Sequence, residues 1–166
     1  GPAAERRGAG RGHRAVLKWA MAERVQVAVK SRSRFGGQED VLSFRGQGVL
    51  TKTAEGWHLR YEAANEVDGS AIVSEIRLET ATRRAVVINE ADSGGYGLLL
   101  DPKTPTATRI DGGDGGALML NVATKEVAWQ LSRRGQGFIT LAYTLLLGVQ
   151  PLSALQVELT LTKEEN

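Results

Sequence analysis

The sequence predicts an all-β chain: a single antiparallel up-and-down β-barrel of roughly eight to ten strands, lipocalin-like in outline. Three observations lead there. From Val25 onward apolar residues recur with a period of two rather than 3.6. Gly, Pro and Asp-Gly turn signals break that alternation at short intervals. No segment of the body keeps a helical apolar stripe over several turns. A meander of that many strands removes its edges best by closing on itself, with a two-sheet sandwich as the alternative architecture.

The elements follow in order. Val25, Val27 and Val29 alternate with Gln26, Ala28 and Lys30 in a first strand reaching Phe35, and Gly36-Gly37 turn the chain. The second strand runs about 40–53, with Leu42, Phe44 and Leu50 opposite Ser43, Arg45 and Gln47. Gly46 and Gly48 interrupt it where a sharp bend or a bulge is expected. Trp57, Leu59, Tyr61 and Ala63 then oppose His58, Arg60 and Glu62, and Asp68-Gly69 signals a hairpin. In 71–80, Ile72, Ile76 and Leu78 share a face opposite Glu75, Arg77 and Glu79. Strands are expected at 85–90 and 96–100. The stretch 101–116, with Pro102, Pro105 and a glycine cluster at 112–116, reads as a loop with a short strand near 108–110. Strands resume at 117–122, 126–131 and 138–147, where Ile139, Leu141, Tyr143, Leu145 and Leu147 share a face. The last, 155–162, places Leu155, Val157, Leu159 and Leu161 inward.

Composition limits the chemistry. The chain has 166 residues, 42% hydrophobic and 24% charged, with no Cys. A domain of this size buries roughly 70% of its unfolded surface, so one core is sufficient. The lack of Cys excludes disulfides, Cys-ligated zinc or Fe–S sites and thiol catalysis. No run of about 20 apolar residues offers a spanning helix. The pI of 9.1 suggests a polyanionic partner, but the charge is unevenly placed. Residues 1–20 carry Arg6, Arg7, Arg11, Arg14 and Lys18 against Glu5, whereas the rest carries 16 basic and 18 acidic groups. The chain therefore divides into a basic arm over 1–24 and a barrel domain over 25–166.

Gly1-Pro2 reads as the scar of a tag-cleaving protease, and 3–14 lack apolar periodicity, as a solvated segment would. Met21-Ala22-Glu23-Arg24 reads as a start directly before the first strand, which would make 3–20 upstream sequence. The competing reading makes the five basic residues a nucleic-acid-binding arm that tracks phosphates. The mildly acidic body gives no electrostatic reason to expect nucleic acid.

The sequence carries no recognisable catalytic or metal signature. The two histidines, His13 and His58, have no HExxH-type spacing, so His58 reads as a surface residue among Arg60 and Glu62. No GxSxG elbow occurs. Asp111-Gly-Gly-Asp114-Gly-Gly fails as a calcium loop, because Val122 stands where the closing Glu belongs. It also fails as a P-loop, lacking Gly-Lys-Ser/Thr and a following helix. A mobile hairpin or barrel-mouth loop is the expectation there. Arg-Gly-Gln-Gly at 45–48 and again at 134–137 is read as backbone geometry at bends rather than as a repeat unit.

The pattern resembles the YwiB-like family of bacterial β-barrel proteins, in the calycin superfamily. The residues that carry the likeness are Val27-Ala28-Val29-Lys30-Ser31, Asp40 to Arg45 with Gly48, Leu59-Arg60-Tyr61-Glu62 and Ile72-Val73. In the C-terminal half they include Leu118, Leu120, Val122, Thr124, Val127, Leu131, Gly137, Ile139, Leu141, Tyr143 and Leu145. The likeness spans about 25–162 and departs near 105–117, where relatives tend to carry aromatics and this chain has the glycine cluster. It implies a barrel, a cytoplasmic location and the possibility of a ligand cavity; the family brings no established activity.

Taken together, the expectation is a non-enzymatic barrel that binds a small hydrophobic or amphipathic molecule, or a protein partner or second copy at its surface, with no cofactor and no metal. The candidate ligand-binding residues are Arg45, Tyr61, Glu62, Trp129 and Tyr143, a Glu–Arg–Tyr set that would orient a polar head in an apolar pocket. Simple alternation places Arg45 opposite Leu42 and Phe44, outside the barrel, unless a bulge at Gly46 or Gly48 reverses it. The alternative leaves these residues as a surface ion pair and core rings.

Overall fold

The period-two alternation becomes ten antiparallel strands in the computed structural model, which describes residues 22–91, 94–111 and 116–164. They are β1 (Ala22–Phe35), β2 (Gln38–Lys52), β3 (Gly56–Asn65), β4 (Ala71–Glu79), β5 (Arg84–Ala91), β6 (Gly94–Leu100), β7 (Thr106–Asp111), β8 (Ala117–Leu131), β9 (Gly137–Leu147) and β10 (Gln150–Lys163). The basic arm with Arg6, Arg7, Arg11, Arg14 and Lys18, the Met21 start and most of the glycine cluster lie outside the described residues.

One sheet holds all ten strands in the order β6-β5-β4-β3-β2-β1-β10-β9-β8-β7. The first and last strands pair in its middle, with Val25 opposite Lys163 and Arg34 opposite Ala154. Bent round on itself, the sheet becomes a nearly closed up-and-down barrel. The two ends of the ladder, β6 and β7, meet without a backbone ladder. Thr106 Oγ1 donates to the carbonyl of Leu99 and Thr108 Oγ1 to that of Gly97, so side-chain hydroxyls join this seam.

The core lies inside the barrel and follows strand parity. Val25, Val27 and Val29 from β1, Leu59, Tyr61 and Ala63 from β3, and Leu159 and Leu161 from β10 are buried, as expected. The strand boundaries depart from expectation in three places. The first strand starts at Ala22, extended by pairing of Ala22 and Glu23 with Thr51 and Leu50. The loop of 101–116 contains a full strand, β7, laddered to β8 from Thr106 to Asp111. The strands expected at 117–122 and 126–131 are one strand with a bulge at Lys125, because Thr124 opposes Tyr143 while Glu126 opposes Ala142. The extra residue switches the inward set from Leu120 and Val122 to Val127, Trp129 and Leu131.

Gly46 and Gly48 mark no bulge: β2 keeps a continuous register with both β1 and β3. They mark close approach instead. A Cβ at Gly46 would collide with the Glu62 carbonyl oxygen, and one at Gly48 with the Arg60 carbonyl oxygen and the Tyr61 Cβ. The glycines let the long β2 coil tightly over β3.

Candidate functional site

The two barrel ends differ. At the closed end, Trp57 and Trp129 are half-buried against the core. Each is covered by a cation: Lys52 Nζ lies 5.3 Å from the Trp57 ring centroid and Arg83 Cζ 3.9 Å from that of Trp129. Lys52 also donates to the carbonyls of Thr53 and Gly56. Arg83 holds a φ of 59°, the left-handed region, in the β4–β5 turn. The opposite end is open, and a cavity of about 420 Å³ descends from it into the barrel. That is within the range of about 300–1,000 Å³ usual for small-molecule pockets.

Apolar walls come from every side, including Val29, Phe44, Ile76, Val87, Leu141 and Val157. Into this lining the fold sets a polar row. Tyr61 on β3 stands opposite Ser74 on β4, Ser74 opposite Asn89 on β5, and Asn89 opposite Tyr96 on β6. Four neighbouring strands thus present polar side chains at one level. Tyr143 faces them from β9, so all three tyrosines of the chain line one cavity. Asn89 Nδ2 donates to the Tyr96 hydroxyl at 3.0 Å. Ser31 and Ser33 add hydroxyls from β1.

The row is incompletely satisfied. Ser74 is 1% exposed, and its Oγ meets no partner with hydrogen-bond geometry. Asn89 Oδ1 is likewise unpartnered, as is Thr124 Oγ1, on the residue opposite Tyr143. These three are the buried side-chain polar atoms without partners among the described residues. Buried polar groups are normally bonded, so two unpartnered atoms on residues of one cavity wall, Ser74 and Asn89, are informative. Burial raises the pKa of the Tyr61 phenol, partly offset by the neighbouring Ser74 hydroxyl, with Tyr96 adding to the rise. Burial also raises Tyr143, reinforced by Tyr96 and Tyr61. Both phenols are therefore neutral hydrogen-bonding groups at physiological pH. The single charged side chain lining the cavity among the described residues is Asp111 at the mouth, 78% exposed and paired with Arg109.

Of the five residues expected to bind a ligand, the structure brings two together. Tyr61 and Tyr143 line the cavity. Arg45 points outward, because β2 carries no bulge to reverse it, and it pairs with Glu66. Glu62 opposes Gln47 on the same outer face. Trp129 plugs the closed end and does not reach the cavity. His58 bonds Glu75 Oε1 across the outer face at 2.8 Å, next to Arg77, which shifts the Glu75 carboxyl below its usual range. Sequence reasoning missed Ser74, Asn89 and Tyr96. The signal was available as polar residues at inward parity, Ser74 between Ile72 and Ile76 and Asn89 two beyond Val87.

The mouth has its own character. Three of the turns beside it expose apolar side chains, Phe35 at 65%, Val67 at 95% and Val149 at 94%. The closed-end turns at 53–55, 80–83 and 132–136 carry small, polar or charged residues.

No protein-family profile matches the chain, and no curated protein matches it. Among solved structures the barrel is similar to the YwiB protein of Bacillus subtilis, with a TM-score of 0.69 and 17% identity, over 87% of this chain and 94% of that one. The resemblance read from the sequence is thus matched in fold: this is a YwiB-like β-barrel.

Proposed function

We propose that the chain is a non-enzymatic binding protein that takes a small amphipathic molecule into the open end of its barrel. The observation that carries this is the coincidence of a 420 Å³ apolar cavity with unpartnered buried polar atoms on Ser74 and Asn89 in its wall. Apolar walls supply affinity at about 25 cal/mol per Å² removed from water, and a few placed polar groups fix orientation. Ser74 Oγ and Asn89 Oδ1 are closed off from the cavity as the side chains stand, so a ligand recovers the cost of leaving them unpaired when these side chains turn their polar ends toward it. The exposed apolar turns at the mouth suit the approach of such a molecule.

Native mass spectrometry of protein purified without detergent or organic solvent tests the reading, together with titration of a fluorescent apolar probe. Ser33→Phe, at the mouth and half-exposed, is the control that narrows the entrance without touching the core. Bound mass or saturable probe binding, lost in Ser33→Phe, is expected. A clean apo mass together with no saturable probe binding would sink the proposal.

A further inference from the structure

The cavity also carries information about its ligand's charge. We infer that the ligand is an uncharged molecule with an apolar body and a hydroxyl- or amide-type head group, seated against the Tyr61–Ser74–Asn89–Tyr96 row. This rests on the binding reading above and narrows it to a chemical class.

The inference follows from what surrounds the head group. A carboxylate, phosphate or ammonium drawn into this space would lose its hydration. It would need a counter-charge or a dense set of oriented donors in return. No Lys, Arg or His lines the cavity among the described residues, and Asp111 sits at the exposed rim. The cations near the mouth are paired outside it: Arg109 with Asp111 at the exposed rim, Arg32 and Arg34 with Glu39, and Arg45 with Glu66 on the outer face.

A neutral head group meets the opposite situation. The row offers groups that can each donate or accept: the serine hydroxyl rotates, and the asparagine amide keeps one end free when the other bonds the Tyr96 hydroxyl. A hydroxyl or amide carries both donor and acceptor, so it can bond such groups without stranding a charge. A purely hydrocarbon ligand would fill the volume but leave Ser74 Oγ and Asn89 Oδ1 unpaired. The site thus disfavours ions strongly and bare hydrocarbon moderately.

A matched naphthalene series tests this by calorimetry on the full chain: 2-naphthamide, 2-naphthoate, 2-naphthylmethylammonium and 2-ethylnaphthalene. The amide is expected to bind tightest, the hydrocarbon about tenfold more weakly, and each ion at least about thirty-fold more weakly. In the double variant Ser74→Ala, Asn89→Leu the amide should lose its advantage over the hydrocarbon, with circular dichroism reporting that the barrel is intact. Should that variant not fold, Tyr96→Phe, half-exposed at the mouth, is the substitute and should narrow the gap at least threefold. If either ion binds as tightly as the amide, or the hydrocarbon does, the binding reading stands and the inference about charge and head group is overturned. If none of the four binds at millimolar concentration to folded protein, the binding reading falls and takes this inference with it.

Discussion

Replacing Ser74 by Val should make the empty protein more stable. Ser74 is 1% exposed on β4, between the buried Ile76 and the half-buried Ile72, and its Oγ has no partner. An unsatisfied buried hydroxyl costs about 1–3 kcal/mol, which the substitution removes. Valine suits a pleated strand better than serine, a preference spanning at most about 1 kcal/mol. One methyl takes the hydroxyl's place; the other must press neighbours aside, and the adjoining cavity gives those neighbours room to move. Against this stands any contribution from the Ser74 hydroxyl to Tyr61, which is felt in the phenol's pKa. Together these give a gain of about 1–2 kcal/mol, or roughly 3–6 °C in Tm for a domain of this size. Urea unfolding followed by far-UV circular dichroism measures it, and the same variant should bind 2-naphthamide less well than the parent. A loss of more than about 1 kcal/mol would refute the reasoning. If that loss disappeared in a Tyr61→Phe background, the hydroxyl would be shown to be bonded to Tyr61 and not orphaned.

Other outcomes follow from the same geometry. Because burial raises the Tyr61 and Tyr143 phenols, their neutral forms favour the folded state; this stability is complete below the ordinary phenol range and is lost as pH rises through about 10 and above. The parent should therefore lose stability in alkali faster than Tyr143→Phe, measured by denaturant melts between pH 7 and 11; parallel curves would contradict this. Gly48→Ala drives a methyl against the Arg60 carbonyl and the Tyr61 side chain and should cost about 1–3 kcal/mol by overpacking, whereas Gly36→Ala, which meets nothing within 4 Å, should be limited to its positive-φ strain. Arg83→Gly relieves the left-handed backbone, about 1 kcal/mol, but loses the cation over Trp129, about 0.5–1 kcal/mol; net stability should change by less than about 1 kcal/mol while Trp129 fluorescence shifts.

Much of the fold was legible because parity in a strand is a local property. In β1, β3 and β10 every second residue is apolar, and those residues form the core. The bulge at Lys125 was not legible as a bulge: one unpaired residue reverses parity midway along β8, and this looked like two strands with a gap. β7 was legible only as a short strand near 108–110, because Pro105 and the glycine cluster flank a six-residue strand with only Ile110 as a large apolar residue. At the site, Arg45 and Glu62 are the conspicuous polar residues of the sequence, yet both lie on the outer face. In an alternating strand a charged residue takes the wet face by default. The informative residues were the neutral polar ones on the dry face, Ser74 and Asn89, which nothing in composition singles out.

The position of the seam has a consequence for folding. The ladder's ends fall in mid-sequence at β6 and β7, while the first and last strands are neighbours, with Val25 opposite Lys163 and the Glu164 amide bonded to the Arg24 carbonyl. A circular permutant opened within 101–105, with residue 164 joined by a short linker to residue 22 and the segment before it omitted, would run β7 through β10 and then β1 through β6. Every laddered pair would then join consecutive strands, turning the longest-range pairing of the natural order, β1 with β10, into a hairpin. Because rates fall as contacts become more distant along the chain, the permutant should fold faster than the parent while keeping the same barrel.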